Sequence, residues 1–269
     1  PEDRHRVFGA RSGAARLALR WRRHRYLSRW TRLILASEAR PGPLNVEHTN
    51  EDRRTLEGFY DASVAYTDRW LGRLFESVLG GGDTVAVVTS DHGEEFFEHG
   101  RVGHAPFSLY EEIVRVPLVM AGPGVPAGTV DEWVSHGSLP ATMLDLAGVG
   151  DGDGLLSSAP GGGVMTESLW GLTIPFPREH LGEFDIVLSA REKELKLISW
   201  QGTDREELYD LARDAAEQHD LSGDDRYADA ARGLRDRVKE RSREAAVEDA
   251  RFELERRVRG IRRALERRA

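Results

Sequence analysis

Thr84-Val85-Ala86-Val87-Val88-Thr89-Ser90-Asp91-His92-Gly93 is the stretch on which the reading of this chain turns. Its centre is apolar and β-branched, with no polar residue alternating through it. Such a run is expected of a strand buried on both faces, in a parallel sheet flanked by helices. Folds of that kind place ligands outside the carboxyl ends of their strands. At that end the chain sets an acid, an imidazole and then a glycine, whose backbone turns sharply and leaves both side chains pointing forward. Asp91 offers a hard oxygen and His92 a borderline nitrogen, which is half a ligand set for a divalent cation. His99 and His104 follow in the same polar stretch, Glu94 to His104. The residues alone leave two readings open. One is a metal-bearing catalytic loop; the other is a polar loop in which Asp91 caps the next turn and the histidines are solvated.

Upstream, Thr49 to Leu79 has the marks of a long helix. Thr49 or Asn50 can cap it, Glu51 and Asp52 suit its first turn, and Tyr60, Val64, Asp68 and Leu71 recur on one face. Gly80-Gly81-Gly82 is expected to end it. Before it, residues 1–48 form a basic segment in which Leu17, Trp21, Leu27, Trp30, Leu33 and Ile34 have rough helical spacing. Downstream, Val116 to Met120 reads as a second buried strand, Leu139 to Ala147 as a short helix, and Gly150 to Gly163 as a flexible loop. Ile186 to Ser189 and Leu195 to Trp200 are expected to pair antiparallel. From Tyr227 a charged helix is expected, with a break near Ser242. These features divide the chain into a basic helical segment (1–48), an α/β core portion (49–179), a small C-terminal subdomain (180–222) and a charged helical tail (223–269). The fold class expected is α/β: a mostly parallel, incomplete sheet flanked by helices, then a small antiparallel sheet and a long C-terminal helix.

Composition narrows the functions. The 269 residues carry a formal charge of −8, so nucleic acid and anionic lipid are not expected partners. The lysines are Lys193, Lys196 and Lys239; every other basic residue apart from histidine is arginine. No cysteine is present, which excludes disulfides, thiolate metal sites and a cysteine nucleophile. No apolar stretch reads as a signal peptide or a membrane span. A cytoplasmic location is therefore the expectation. The first residue is proline, which points to a processed or fragmentary chain.

Four ordered blocks resemble the sulfatase family of the alkaline-phosphatase superfamily. They are Tyr60 to Asp68; Thr84 to Glu94 continued by Glu98-His99-Gly100, Leu109-Tyr110-Glu111-Glu112 and Arg115-Val116-Pro117-Leu118; Val134 to Gly148; and Glu207-Leu208-Tyr209-Asp210-Leu211 with Asp214, Glu217 and His219-Asp220-Leu221. Together they cover about residues 55–222. The resemblance implies metal-dependent cleavage of sulfate esters, on small molecules or glycans. It implies that Asp91 and His92 are the second pair of metal ligands. It also implies that His104 stands beside the leaving group as a catalytic residue, and that His99 is a candidate substrate-binding residue. Glu94 and Glu95 fall to supporting or solvated positions. The cation would be calcium by family, with manganese or zinc favoured by the histidine at position 92. That histidine also resembles relatives that process phosphonates and phosphoglycerol, so a phosphodiesterase or phosphoglycerol transferase is the alternative.

The family's nucleophile lies in C/S-x-P-x-R and becomes formylglycine, and it follows a first pair of aspartates. Neither is found here. The serine echoes Ser138-Leu-Pro-Ala-Thr142 and Ser158-Ala-Pro-Gly-Gly162 lack the arginine, so formylglycine is expected to be absent. The expectation is a C-terminal portion of a longer enzyme, inactive alone, whose N-terminal half is its missing partner. A non-catalytic remnant or binding module is the remaining reading.

Overall fold

The computed structural model describes residues 48–79, 82–104, 108–152, 154–156, 163–169 and 186–245. The basic segment before residue 48, the end of the glycine-rich loop and the tail beyond 245 lie outside the described residues. The chain forms two compact units. The first takes in residues up to 105 together with 112–130 and 139–158. The second takes in 106–111, 131–138 and 159 onward.

In the first unit, helix α1 (Asn50–Val78) begins at Thr49 with a reciprocal capping box. The Thr49 hydroxyl accepts from the Asp52 amide, and the Asp52 carboxylate accepts from the Thr49 amide. Two orphan donors of the first turn are thereby satisfied. Arg53 then ties the helix to a later loop, bonding Glu57 within the helix and Glu98 beyond it. Leu56 is the buried residue of α1, whereas Tyr60, Val64, Trp70, Leu74 and Val78 are exposed. Strand β1 (Ala86–Thr89) follows, then the hairpin strands β2 (Glu95–Phe96) and β3 (Val102–Gly103). The short helix α2 (Glu111–Val114) leads to β4 (Leu118–Ala121), and α3 (Leu139–Leu146) completes the unit. Asp145 of α3 accepts from the Gly152 and Gly154 amides, and Thr142 from that of Leu155, so loop residues fold back onto the helix.

The expected parallel sheet is not what these strands form. β1 pairs with β4 antiparallel, Ala86 opposite Ala121 and Thr89 opposite Leu118. Every strand pairing among the described residues is antiparallel. The apolar run also stays half-buried, and Val119 on the neighbouring strand is 58% exposed. A β-branched run records a preference for extended backbone and burial. It carries no information on which strand lies alongside, or in which direction, because that depends on segments distant in sequence.

The second unit is built on a four-stranded antiparallel meander: β5 (Val164–Leu169), β6 (Ile186–Glu192), β7 (Leu195–Trp200) and β8 (Glu206–Asp210). Leu188, Ala190, Leu197 and Leu208 are almost fully buried and pack with Ala231, Leu234 and Val238 of a helix over 228–245, α4. Each such leucine contributes about 1.5–3 kcal/mol relative to an exposed one. Arg235 bonds Glu206 of β8, and Arg241 bonds Glu167 of β5 at 2.6 Å, which clips α4 to both edges of the sheet. The helix continues through Ser242 without the expected break. Since β5 is hydrogen-bonded to β6, and α4 shares a core with the sheet, the boundaries drawn at 179/180 and 222/223 do not follow the packing.

The opposite face of this sheet carries Val187, Arg191, Lys196, Ile198, Trp200 and Tyr209. Charges sit here within the core. Lys196 Nζ lies 2.8 Å from Glu111 Oε1 and 2.9 Å from Glu217 Oε1, and Arg191 lies 3.0 Å from Glu111. Trp133 stacks on the Arg191 guanidinium at 3.5 Å. Two cations balance two carboxylates, as burial of charge requires. No helix among the described residues is long and apolar enough to cross a membrane.

Candidate metal and leaving-group site

At the end of β1 the backbone is held by its own side chains. The Ser90 hydroxyl donates to the His92 carbonyl at 2.7 Å, and the His92 amide donates to Asp91 Oδ1 at 3.1 Å. Gly93 then passes so close to α2 that a side chain has no room: a Cβ there would stand 1.9 Å from the Glu112 carbonyl oxygen. The Gly93 and Glu94 amides donate to the Ile113 and Glu112 carbonyls at 2.8 and 3.0 Å, which fixes the strand-to-loop path.

This path puts Asp91 and His92 side by side. Asp91 Oδ2 lies 3.6 Å from His92 Nε2, with the aspartate 87% exposed. The neighbouring imidazole holds the Asp91 carboxyl below its ordinary range. His92 Nδ1 donates to the Gly93 carbonyl at 2.8 Å, which in the neutral ring puts the lone pair on Nε2. An imidazole oriented in this way by a backbone carbonyl is suited to metal ligation.

The β2–β3 hairpin returns the chain to the same place. Glu95 pairs with Gly103 and Phe96 with Val102. The intervening turn is held by the Phe97 amide on the Arg101 carbonyl and by Phe97 stacked on His48 at 3.8 Å. His104 therefore arrives against His92, the two rings stacked with centroids 4.4 Å apart. Its Nδ1 lies 3.1 Å from Glu94 Oε2. His92, Glu94 and His104 form a group whose ligand atoms lie within 4.8 Å of one another.

The group differs from the pair read in the sequence. Glu94, given a supporting place there, stands among the donors, while Asp91 is its exposed neighbour. His99 is not a member of this group. Its Nδ1 lies 2.6 Å from Glu112 Oε1, both side chains being largely buried. Two donors from Asp91 and His92 fit one edge of a divalent-cation site in kind, one oxygen and one oriented nitrogen. They are too few to hold an ion tightly, since stable sites take about three or four protein ligands.

Asp91, His92 and Glu94 after β1 and His104 after β3 thus stand together, and comparison with known proteins gives the chain its relatives. The sulfatase family model matches residues 44–149, and over that stretch the chain is similar to the sulfatase family of the alkaline-phosphatase superfamily. Arylsulfatase K of Danio rerio is 39% identical over 111 residues, covering 40% of this chain and 21% of that protein. The uncharacterized sulfatase YidJ of Escherichia coli K12 is 28% identical over 209 residues, covering 75% of this chain and 40% of that protein. The phosphonate monoester hydrolase of Agrobacterium radiobacter superimposes with a TM-score of 0.60 at 25% identity, over 71% of this chain and 42% of that one. BT4656, solved with its substrate D-glucosamine-2-N,6-O-disulfate, superimposes with a TM-score of 0.55 at 25% identity, over 68% of this chain and 39% of that one. The chain thus spans less than half the length of these relatives.

Proposed function

We propose that this chain supplies the second metal-ligand pair and the leaving-group residue of a sulfatase-type ester hydrolase. The observation that carries the reading is the meeting of three side chains: Asp91 beside His92, and His104 stacked on His92. Asp91 and His92 would hold a divalent cation, which when bound supplies positive charge against the anionic ester; calcium is the family's ion, and the His92 nitrogen favours manganese or zinc. His104 is positioned by Glu94 at Nδ1, so in its protonated form it presents Nε2–H to the departing oxygen. Glu112 on His99 orients a second ring beside the same hairpin, for contact with the substrate's polar groups.

The nucleophile and the first pair of metal ligands would come from sequence preceding Pro1 in a longer protein, and this stretch would be inactive without them. The substrate class is a sulfate ester on a small molecule or glycan, in line with the sulfated sugar bound by BT4656. A specific observation supports a second reading. The phosphonate monoester hydrolase superimposes as well as any of the neighbours named above, and position 92 is histidine, so phosphoryl esters are the alternative substrate.

The test is turnover of an aryl sulfate against an aryl phosphonate monoester by the longer protein, with calcium, manganese and zinc titrated. Sulfatase chemistry requires the sulfate to be preferred, and His104→Asn to lower turnover by about 10²–10⁴-fold. A His104→Asn variant as active as the parent on both esters removes the leaving-group role. Genomic sequence upstream of Pro1 that lacks paired aspartates and C/S-x-P-x-R supports the remnant reading instead.

A further inference from the structure

The delivery of His104 onto His92 depends on where the β2–β3 hairpin lies, and α1 holds that hairpin by a chain of directed bonds. We propose that Arg53 is a positioning residue for His104, acting through Glu98 and the hairpin backbone. The role rests on the reading of His104 as the leaving-group residue. The Arg53 guanidinium donates to Glu98 Oε1 at 2.8 Å. The other oxygen of the same carboxylate accepts from the Phe96 amide, on β2. Phe96 in turn stands opposite Val102, two residues before His104. One side chain of α1 is thus linked, through a carboxylate and a strand pair, to the imidazole.

The turn needs such a hold. Phe97 has a φ of 72°, in the left-handed region where a phenylalanine is disfavoured, so its neighbours must keep it there. His48, just before α1, stacks on Phe97, and Tyr60 of α1 meets Phe96 edge-on at 5.5 Å. Ring contacts of this kind tolerate sliding, whereas bonds to both oxygens of one carboxylate fix direction. Arg53 is itself held by Glu57 at 2.8 Å. Bonding to Glu57, with the charges of Glu98 and Glu112 added, raises its pKa above the ordinary value in spite of partial burial. Glu112 is the residue bonded by His99, next to Glu98, and its carbonyl accepts the Glu94 amide. The guanidinium therefore stands among the carboxylates that set the hairpin turn and the loop after β1. The Arg53 and Glu98 side chains are 40% and 23% exposed, so the pair adds little to stability; what it supplies is placement.

Two measurements test this. In the 269-residue chain, stacking moves the imidazole carbon–proton NMR signals of His92 and His104 away from those of a solvated ring. Arg53→Met should shift both towards the solvated position, and Arg53→Lys should restore part of the displacement. Arg54→Met, at an exposed neighbour, should change neither. Glu98→Gln, which removes the charge that Arg53 grips, should act in the same direction as Arg53→Met. In the longer protein, Arg53→Met should slow turnover of phenyl sulfate by about 10–100-fold, since misplacement of a reacting group by an ångström costs on that order. para-Nitrophenyl sulfate, whose phenolate departs with little need of a proton, should lose less than about threefold. In a His104→Asn enzyme the same substitution should have no further effect, because the two residues act as one unit. The melting temperature of Arg53→Met should stay within about 4 °C of the parent.

Equal losses on both esters, a loss that persists without His104, or unmoved ring signals would overturn the proposal. So would a larger fall in melting temperature, which makes Arg53 a structural residue. If the parent enzyme turns over neither ester, the hydrolase reading fails alone, and the ring signals still decide whether Arg53 places His104.

Discussion

Lys196→Met is the sharpest test of how the second unit is held together. Lys196 is 1% exposed, with Glu111 and Glu217 each within 3 Å of its ammonium. Arg191 reaches Glu111, so removing the lysine strips from Glu217 the cation named at its carboxylate. Breaking a buried pair from one side costs about 3–5 kcal/mol, because the remaining charge stays desolvated. For a protein of this size, each kcal/mol lowers the melting temperature by about 2–4 °C. The penalty should also depend on pH. Burial already pushes the Glu217 carboxyl above its ordinary value of 4.5, against the pull of Lys196. A carboxyl raised in this way contributes stability that is fully present below the unfolded value and lost as pH rises through the folded one. Without Lys196 the folded value climbs further, so the variant's deficit should be small near pH 4 and complete at pH 7. Urea unfolding at the two pH values measures it. Lys196→Met/Glu217→Leu should regain much of the loss, since replacing both charges leaves neither one stranded. Arg232→Ala, in an exposed pair with Asp229, should stay within about 0.5 kcal/mol. A deficit below about 1 kcal/mol at pH 7, or one equal at both pH values, would refute this account of the cluster.

Other outcomes are expected elsewhere in the chain. Gly93→Ala places a methyl group against the Glu112 carbonyl, so it should destabilise the first unit by about 1–3 kcal/mol; unchanged melting would show that α2 gives way. Thr49→Ala removes the capping box of α1 and should cost about 1 kcal/mol, seen as lost protection of the first-turn amides in hydrogen exchange. Burial, with the Glu207 carboxylate bonded to both phenols, pushes Tyr110 and Tyr209 well above the ordinary value of 10.0. Their contribution to stability is whole below pH 10 and falls as pH rises past it, so their phenolate absorbance should appear only as the protein unfolds; ionisation near pH 10 in the folded state would contradict the burial.

Much of the local structure was legible because it depends on near neighbours. The capping of α1 at Thr49 needs only Asp52 three positions on, and the β6–β7 hairpin needs only two apolar runs with a tight turn between them. The α1 face was legible in its spacing and misleading in its burial. Tyr60 and Val64 repeat as a core face would, yet they are 44% and 51% exposed, because periodicity names the apolar face and not what covers it. The site was half legible. Asp91 and His92 are adjacent and follow a strand, and their pairing could be anticipated. Glu94 is not legible in the same way, because a carboxylate in an acidic run has no local mark that distinguishes it from a solvated one until His104 arrives beside it.

By itself the sequence determined α1, β1, β4, α3, the β6–β7 hairpin, the Asp91–His92 turn after β1 and the resemblance to the sulfatase family, because propensity, caps and short motifs act over a few residues. Tertiary structure decided what distance in sequence conceals. It set the antiparallel pairing of β1 with β4, the burial of Lys196 between Glu111 and Glu217, and the delivery of His104 onto His92 and Glu94. Each of these requires chain closure between segments whose meeting no local preference encodes. Free energy chooses among such closures only when the packing of the whole unit is summed.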